Sequence, residues 1–92
     1  MNQSKQPKKA VALHYQPNDD VAPRLIAKGT FETAEKIIQV ARENNIPIQE
    51  DKTLVGLLLQ LDIGMAIPPE LYEAVAEIFA FVYRLDQEAS QS

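Results

Sequence analysis

The pattern of apolar and polar positions changes period along the chain. From Ala10 to Tyr15, Val11, Leu13 and Tyr15 interleave with Ala10, Ala12 and His14, the period of two that a strand imposes. Gln16-Pro17-Asn18-Asp19-Asp20 is polar and rich in turn formers, so the strand ends there. Pro23 holds the next entry extended, Arg24 to Lys28 repeat the alternation, and Gly29 closes a second strand paired with the first. The period then becomes helical. Thr30 is a fair N-cap for a helix from Phe31 to about Asn44, with Phe31, Ala34, Ile37, Ile38 and Ala41 on one face and Glu32, Glu35, Gln39 and Glu43 towards water.

Asn44-Asn45 tolerates the left-handed conformation and stops that helix. Ile46-Pro47-Ile48 reads as a short third strand near a sheet edge, because Pro47 has no ladder donor. Strand, helix, strand in one sheet predicts a right-handed parallel crossover. Asp51 can cap a second helix, Lys52 to Leu61, that buries Leu54, Val55, Leu57, Leu58 and Leu61, and Gly64 follows as a stop. Pro68-Pro69 opens a third helix, where a missing N–H costs nothing, running to about Leu85.

That last helix carries two apolar rows. Leu71, Ala74, Val75, Ile78, Val82 and Leu85 form a stripe towards the sheet, and Tyr72, Ala76, Phe79 and Tyr83 form a second row beside it. Glu70, Glu73, Glu77 and Arg84 keep the remaining face wet. Together the rows span roughly 200°, twice what a surface helix needs to face one core. Either the second helix or the loop before Pro68 covers the second row, or it borders an open groove for a peptide or a partner helix.

Composition narrows the function classes. The 92 residues allow one domain with one modest core, and 46% apolar content is ordinary for a globular chain. No cysteine means no disulfide framework and no thiolate nucleophile, which fits a reducing cytoplasm. A net charge of −4 argues against nucleic-acid binding, which relies on basic patches. The one basic cluster, Lys5, Lys8 and Lys9, lies in a polar stretch read as a solvated tail over residues 1–9. No run approaches the roughly 18 apolar residues of a membrane span, so no direct insertion is expected. The domain is read as residues 10–85, with a second flexible tail over 86–92.

Candidate chemistry is sparse. His14 is the single histidine and sits among alanines on a strand, with no serine or aspartate held near it by local spacing. Without cysteine, and with no carboxylate cluster in a loop arrangement, no metal site is expected. Asn18-Asp19-Asp20 lacks the following glycine and distal glutamate of a calcium loop. Gly29, Gly56 and Gly64 are too scattered to cradle a phosphate, so no cofactor is expected either.

Three separated motifs agree in order and spacing with a known family: Ala22-Pro23-x-x-x-Ala27-Lys28-Gly29, Ile46-Pro47-Ile48, and Ile67-Pro68-x-Glu70-Leu71-Tyr72. From residue 10 to 85 the chain resembles the cytoplasmic domain of the export-switch protein of flagellar type III secretion, the FlhB/YscU family. The resemblance implies a small mixed α/β fold of about three strands wrapped by about three helices. It also implies an empty position, because the family's sheet includes a strand from ahead of its self-cleavage site. An empty position would leave an edge open to another chain, unless the N-terminal segment or a homodimer fills it.

Full-length members carry transmembrane helices ahead of this domain, and none is expected within these 92 residues. Members cleave themselves at Asn-Pro-Thr-His by attack of the asparagine side chain on its own carbonyl. The matching positions here are Lys5-Gln6-Pro7-Lys8, and lysine cannot form that ring, so self-cleavage should be absent. The resemblance implies a cytoplasmic, non-enzymatic interaction module, recruited to the membrane export apparatus, whose partners are export-gate proteins or secretion substrates. The family's apolar recognition patch falls on Ala22, Pro23, Ala76 and Phe79, with Tyr72 and Tyr83 on the same row of the last helix. The alternative is a structural partner that completes its open sheet edge with another export component or with itself.

Overall fold

The computed structural model describes residues 8–16, 18 and 20–90, with side chains as far as residue 82. Most of the N-terminal stretch read as a tail, and the side chains of Tyr83, Arg84 and Leu85, lie outside the described residues. The elements are β1 (Lys9–His14), β2 (Arg24–Thr30), α1 (Glu32–Glu43), α2 (Lys52–Leu58) and, after a 3-10 turn at Pro69–Leu71, α3 (Tyr72–Ser90). The helical backbone of α3 passes the end expected near Leu85. Among the described residues, no helix is long and apolar enough to cross a membrane.

β1 and β2 pair antiparallel, and the ladder breaks once. Ala12 faces Ala27 but Leu13 faces Leu25, so Ile26 is an extra residue with no partner. This bulge puts Leu25 and Lys28, three apart, on the same face of the sheet, beside Leu13 and Val11. A strict alternation through Arg24–Lys28 would not allow that. Leu25 is wholly buried in a cluster with Ala22, Leu54, Leu58, Ile67 and Val75, against which Val11, Leu13 and Ile78 also pack. Lys28 reaches past this cluster, and its Nζ donates to the carbonyls of Leu59 (3.2 Å) and Leu61 (2.6 Å) beyond the C-terminus of α2. A lysine among apolar neighbours thus satisfies carbonyls the short helix leaves bare. Ala10, on the opposite face by alternation, and Ala34 of α1 are buried apart from that cluster.

A second short ladder sits on the other side of β2. Leu25 N–H donates to Met65 O (2.9 Å), Gly64 N–H to Leu25 O (2.7 Å) and Ile67 N–H to Pro23 O (2.9 Å), around an antiparallel bridge between Arg24 and Ala66. Gly64 is in the left-handed region at φ 96°, which lets the chain turn onto β2.

The expected third strand at Ile46-Pro47-Ile48 is not formed, and with it the parallel crossover falls away. Ile46 instead serves the end of α1: its N–H donates to Ala41 O while Asn45, at φ 58°, donates to Arg42 O. This is the left-handed helix stop foreseen for the asparagine pair, completed by one more residue. Pro47 then withholds a donor, and Ile46 and Ile48 remain 55% and 44% exposed.

The start of α1 also differs. Thr30 is the last residue of β2, and the N-cap is Phe31, which makes no side-chain cap bond. Its N–H donates to Lys8 O, which fixes it at φ 55°, ψ −122°, and its ring is 63% exposed rather than facing the core. Those angles belong to the first central position of a type II′ turn, where glycine is favoured. By contrast Asp51 caps α2 as expected, its Oδ1 accepting from Leu54 N–H at 3.0 Å. α2 ends at Leu58 rather than Leu61, and Leu57 faces outward.

Two neighbouring substitutions should therefore act in opposite directions. A Cβ added at Gly29 would run into the Thr33 side chain, so Gly29→Ala should cost about 1–3 kcal/mol. Phe31→Gly removes the backbone strain and little packing, and should stabilise by about 1 kcal/mol. Urea unfolding of the three proteins measures both signs. Equal destabilisation by both would contradict the turn geometry.

Candidate functional site

A groove of about 330 Å3 opens between the β1–β2 connection and the start of α3. One wall is Val21, Ala22 and Pro23. The other is Tyr72, Ala76 and Phe79 on α3, and Ile67 and Val75 close the floor. Tyr15, just past β1, leans over the far end, its ring centroid 5.9 Å from that of Phe79 with the planes tilted by 54°. A tilted aromatic pair of this kind adds about 0.5–1.5 kcal/mol to the burial of its rings.

Each wall is held by a separate device. The connection is folded on itself, with Gln16 N–H donating to Asp20 Oδ2 (2.9 Å) and Asp20 N–H to Gln16 O (2.8 Å). Asp20 Oδ1 also lies 3.5 Å from Arg24 Nε, which ties the connection to the first residue of β2. Ile67 reaches the floor because its N–H is bonded to Pro23 O, and Pro68 and Pro69 then direct the chain into α3. Val75 is wholly buried against Leu25, whereas Ala76, one residue on, faces the groove and solvent.

The structure thus brings Ala22, Pro23, Tyr72, Ala76 and Phe79 together in one concavity. Tyr83, placed on the same row, has its side chain outside the described residues. α2 contributes nothing to the lining, and the loop before Pro68 supplies only Ile67, so the second row of α3 stays largely uncovered. Sequence reasoning missed Tyr15, Val21, Ile67 and Val75 as lining, Val75 having been placed on the stripe towards the sheet. Val21 had a signal, being an apolar residue inside a polar turn, and it is 95% exposed. Tyr15 continues the parity of Val11 and Leu13 past the end of the strand.

Among the described residues no charged side chain lines this groove, and its polar side-chain atoms are two tyrosine hydroxyls. Its size is at the lower end of the range for small-ligand pockets, and its walls suit one or two apolar side chains. Burying one leucine or phenylalanine there would contribute about 1.5–3 kcal/mol. Nucleophile, base and oxyanion donors do not converge on it. His14 is exposed at the end of β1, and among the described residues no group of three or more His, Cys, Asp or Glu could hold a metal ion.

Comparison with known proteins places this geometry. Residues 7–82 match the model of the FlhB HrpN YscU SpaS family. The chain is 52% identical over 80 residues to YlqH of Bacillus subtilis, an uncharacterized protein, covering 87% of this chain and 86% of that one. It is 46% identical over 80 residues to the flagellar biosynthetic protein FlhB of Helicobacter pylori, covering 86% of this chain but 22% of FlhB. With FlhB of Escherichia coli it shares 42% over 77 residues, 83% of this chain and 20% of FlhB. It therefore spans about a fifth of those flagellar proteins. Among solved structures it is similar to the C-terminal domain of EscU bearing an H265A mutation, with a TM-score of 0.79 and 27% identity over 83% of this chain and 93% of that one. The PscU C-terminal domain gives a TM-score of 0.77 and 25% identity over 82% and 96%. With the fold, the three motifs and the family model in agreement, the chain belongs to the FlhB HrpN YscU SpaS family.

Proposed function

We propose that the chain is a non-enzymatic protein-interaction module of the flagellar type III export apparatus. It would work in the cytoplasm, recruited to the membrane-bound machinery, where its groove takes a short apolar segment of an exported subunit or of an export-gate component. The observation that carries this reading is the uncharged concavity between Ala22-Pro23 and Ala76/Phe79, open to solvent on a chain that is otherwise acidic. An apolar groove with fixed walls binds by burial and selects by shape, which suits recognition of short segments in many different partners. The similarity to FlhB proteins supplies the export context.

A second reading rests on a separate observation. Among the described residues, β1 pairs with β2 alone, so its outer edge presents unpaired backbone groups. A strand from another export component, or from a second copy of this chain, could complete the sheet there.

Ala76→Asp separates the two. The side chain is exposed, so thermal stability should stay within about 0.5 kcal/mol of wild type. A carboxylate facing an apolar partner without a counter-charge should weaken capture of an exported flagellar subunit by about a hundredfold, measured by calorimetry. Val75→Asp, at the buried neighbouring position, should unfold the chain and serves as the contrast. Undiminished binding by Ala76→Asp would move the contact out of the groove. With lysine where the family's cleavage chemistry needs asparagine, purified protein held for days at neutral pH should give a single intact mass. A break near residues 5–8 would overturn the non-enzymatic reading.

A further inference from the structure

α3 borders a second concavity on its opposite side, and its chemistry differs from that of the groove. This trough, of about 460 Å3, runs between the extended segment before α2 and the middle of α3. Ala74, Ile78 and Phe81 form its apolar floor, with Phe81 44% exposed. Gln49, Asp51 and Glu77 form the rim. Alternation along the extended segment sends Gln49 and Asp51 into the trough and turns Ile48 and Glu50 away from it.

Among the described residues, the charges on that rim are all of one sign. Among the described residues no lysine or arginine lines the trough, and the ion pairs there, Lys8–Glu35 and Arg24–Asp20, involve neither Asp51 nor Glu77. One oxygen of Asp51 is committed to capping α2. Glu73, one turn before Glu77, extends the negative field, and Lys52, next to Asp51, lies outside the lining. A partner with a carboxylate here would meet like charge, and a purely apolar one would leave the rim uncompensated. Electrostatic complementarity therefore selects a cation. The exposed face of Phe81 adds a ring over which a lysine or arginine stem can lie.

We propose that this trough docks a protein segment carrying a lysine or arginine beside a large apolar side chain. The apolar side chain packs on Ile78 and Phe81, and the cation reaches Glu77 and the free oxygen of Asp51. The site is independent of the uncharged groove, so α3 can hold two partners of different chemistry on its two sides.

The test uses the whole chain and a display library of random dodecapeptides, selected on wild type. Enriched peptides should place a lysine or arginine within a few positions of Leu, Ile, Phe or Trp. Synthesised, they should bind Glu77→Lys about five- to tenfold more weakly than wild type, and bind more weakly as salt is raised. They should bind Ala76→Asp as they bind wild type. Glu77 is exposed, so circular dichroism and melting temperature should not change on Glu77→Lys, which separates lost docking from lost folding. Uncharged or acidic consensus peptides, equal binding to Glu77→Lys, or loss of binding in Ala76→Asp would each overturn the proposal.

Discussion

Three backbone hydrogen bonds hold the working part of this molecule together. They join Pro23 and Leu25 to Gly64, Met65 and Ile67, and they bridge 38 to 43 residues of intervening chain. Without them α3 would be tethered to the sheet only by side-chain packing. With them, Ile67 lies beneath Ala22-Pro23, and the two prolines that follow start α3 at a fixed place and angle. A short ladder of this kind closes a large loop, and the entropy of that closure is offset by the packing of Leu25, Leu58, Ile67 and Val75. Both concavities lie along α3, so each inherits its geometry from this ladder.

The two sides of α3 show how a small domain can offer more than one surface. One core cannot bury a helix that is apolar over two rows, and α2 is too short to cover the second. The helix lies across the edge of the core, with Val75 buried and the residues on either side of it left in shallow concavities. Among the described residues, one concavity is lined by no charged side chain and the other has a rim of one sign. Exposed apolar surface of this extent on a small domain is what the proposed interactions would cover.

Much of this was legible from the residue pattern. The strand pair, the helices, the Asp51 cap, the left-handed stop at Asn45 and the proline entry to α3 all rest on local chemistry, which short stretches of sequence determine. What escaped depends on contacts distant in sequence. The bulge at Ile26 exists because Leu25 and Lys28 must share a face, Lys28 having carbonyls of the α2 end to satisfy. Phe31 takes a glycine-like conformation because Lys8, on the paired strand, holds its N–H. Ile46-Pro47-Ile48 has strand composition, but its first residue is committed to the end of α1 and its second has no donor. The ladder at Gly64–Ile67 reads as loop in isolation. Five of the six positions placed in a candidate patch do line one groove, since helical periodicity fixes the α3 side and the Ala22-Pro23 turn is local. Tyr15 and Ile67 could be assigned to it only with the tertiary path known.

The most direct test is a nuclear magnetic resonance titration of isotope-labelled chain with a purified exported flagellar subunit, following every backbone amide. Recognition through the groove predicts shifts concentrated at Ala22, Ala76 and Phe79, with the amides of Lys9, Val11 and Leu13 on β1 unmoved. Shifts confined to β1, with the groove silent, would contradict it and identify the chain as a partner that acts by completing its sheet.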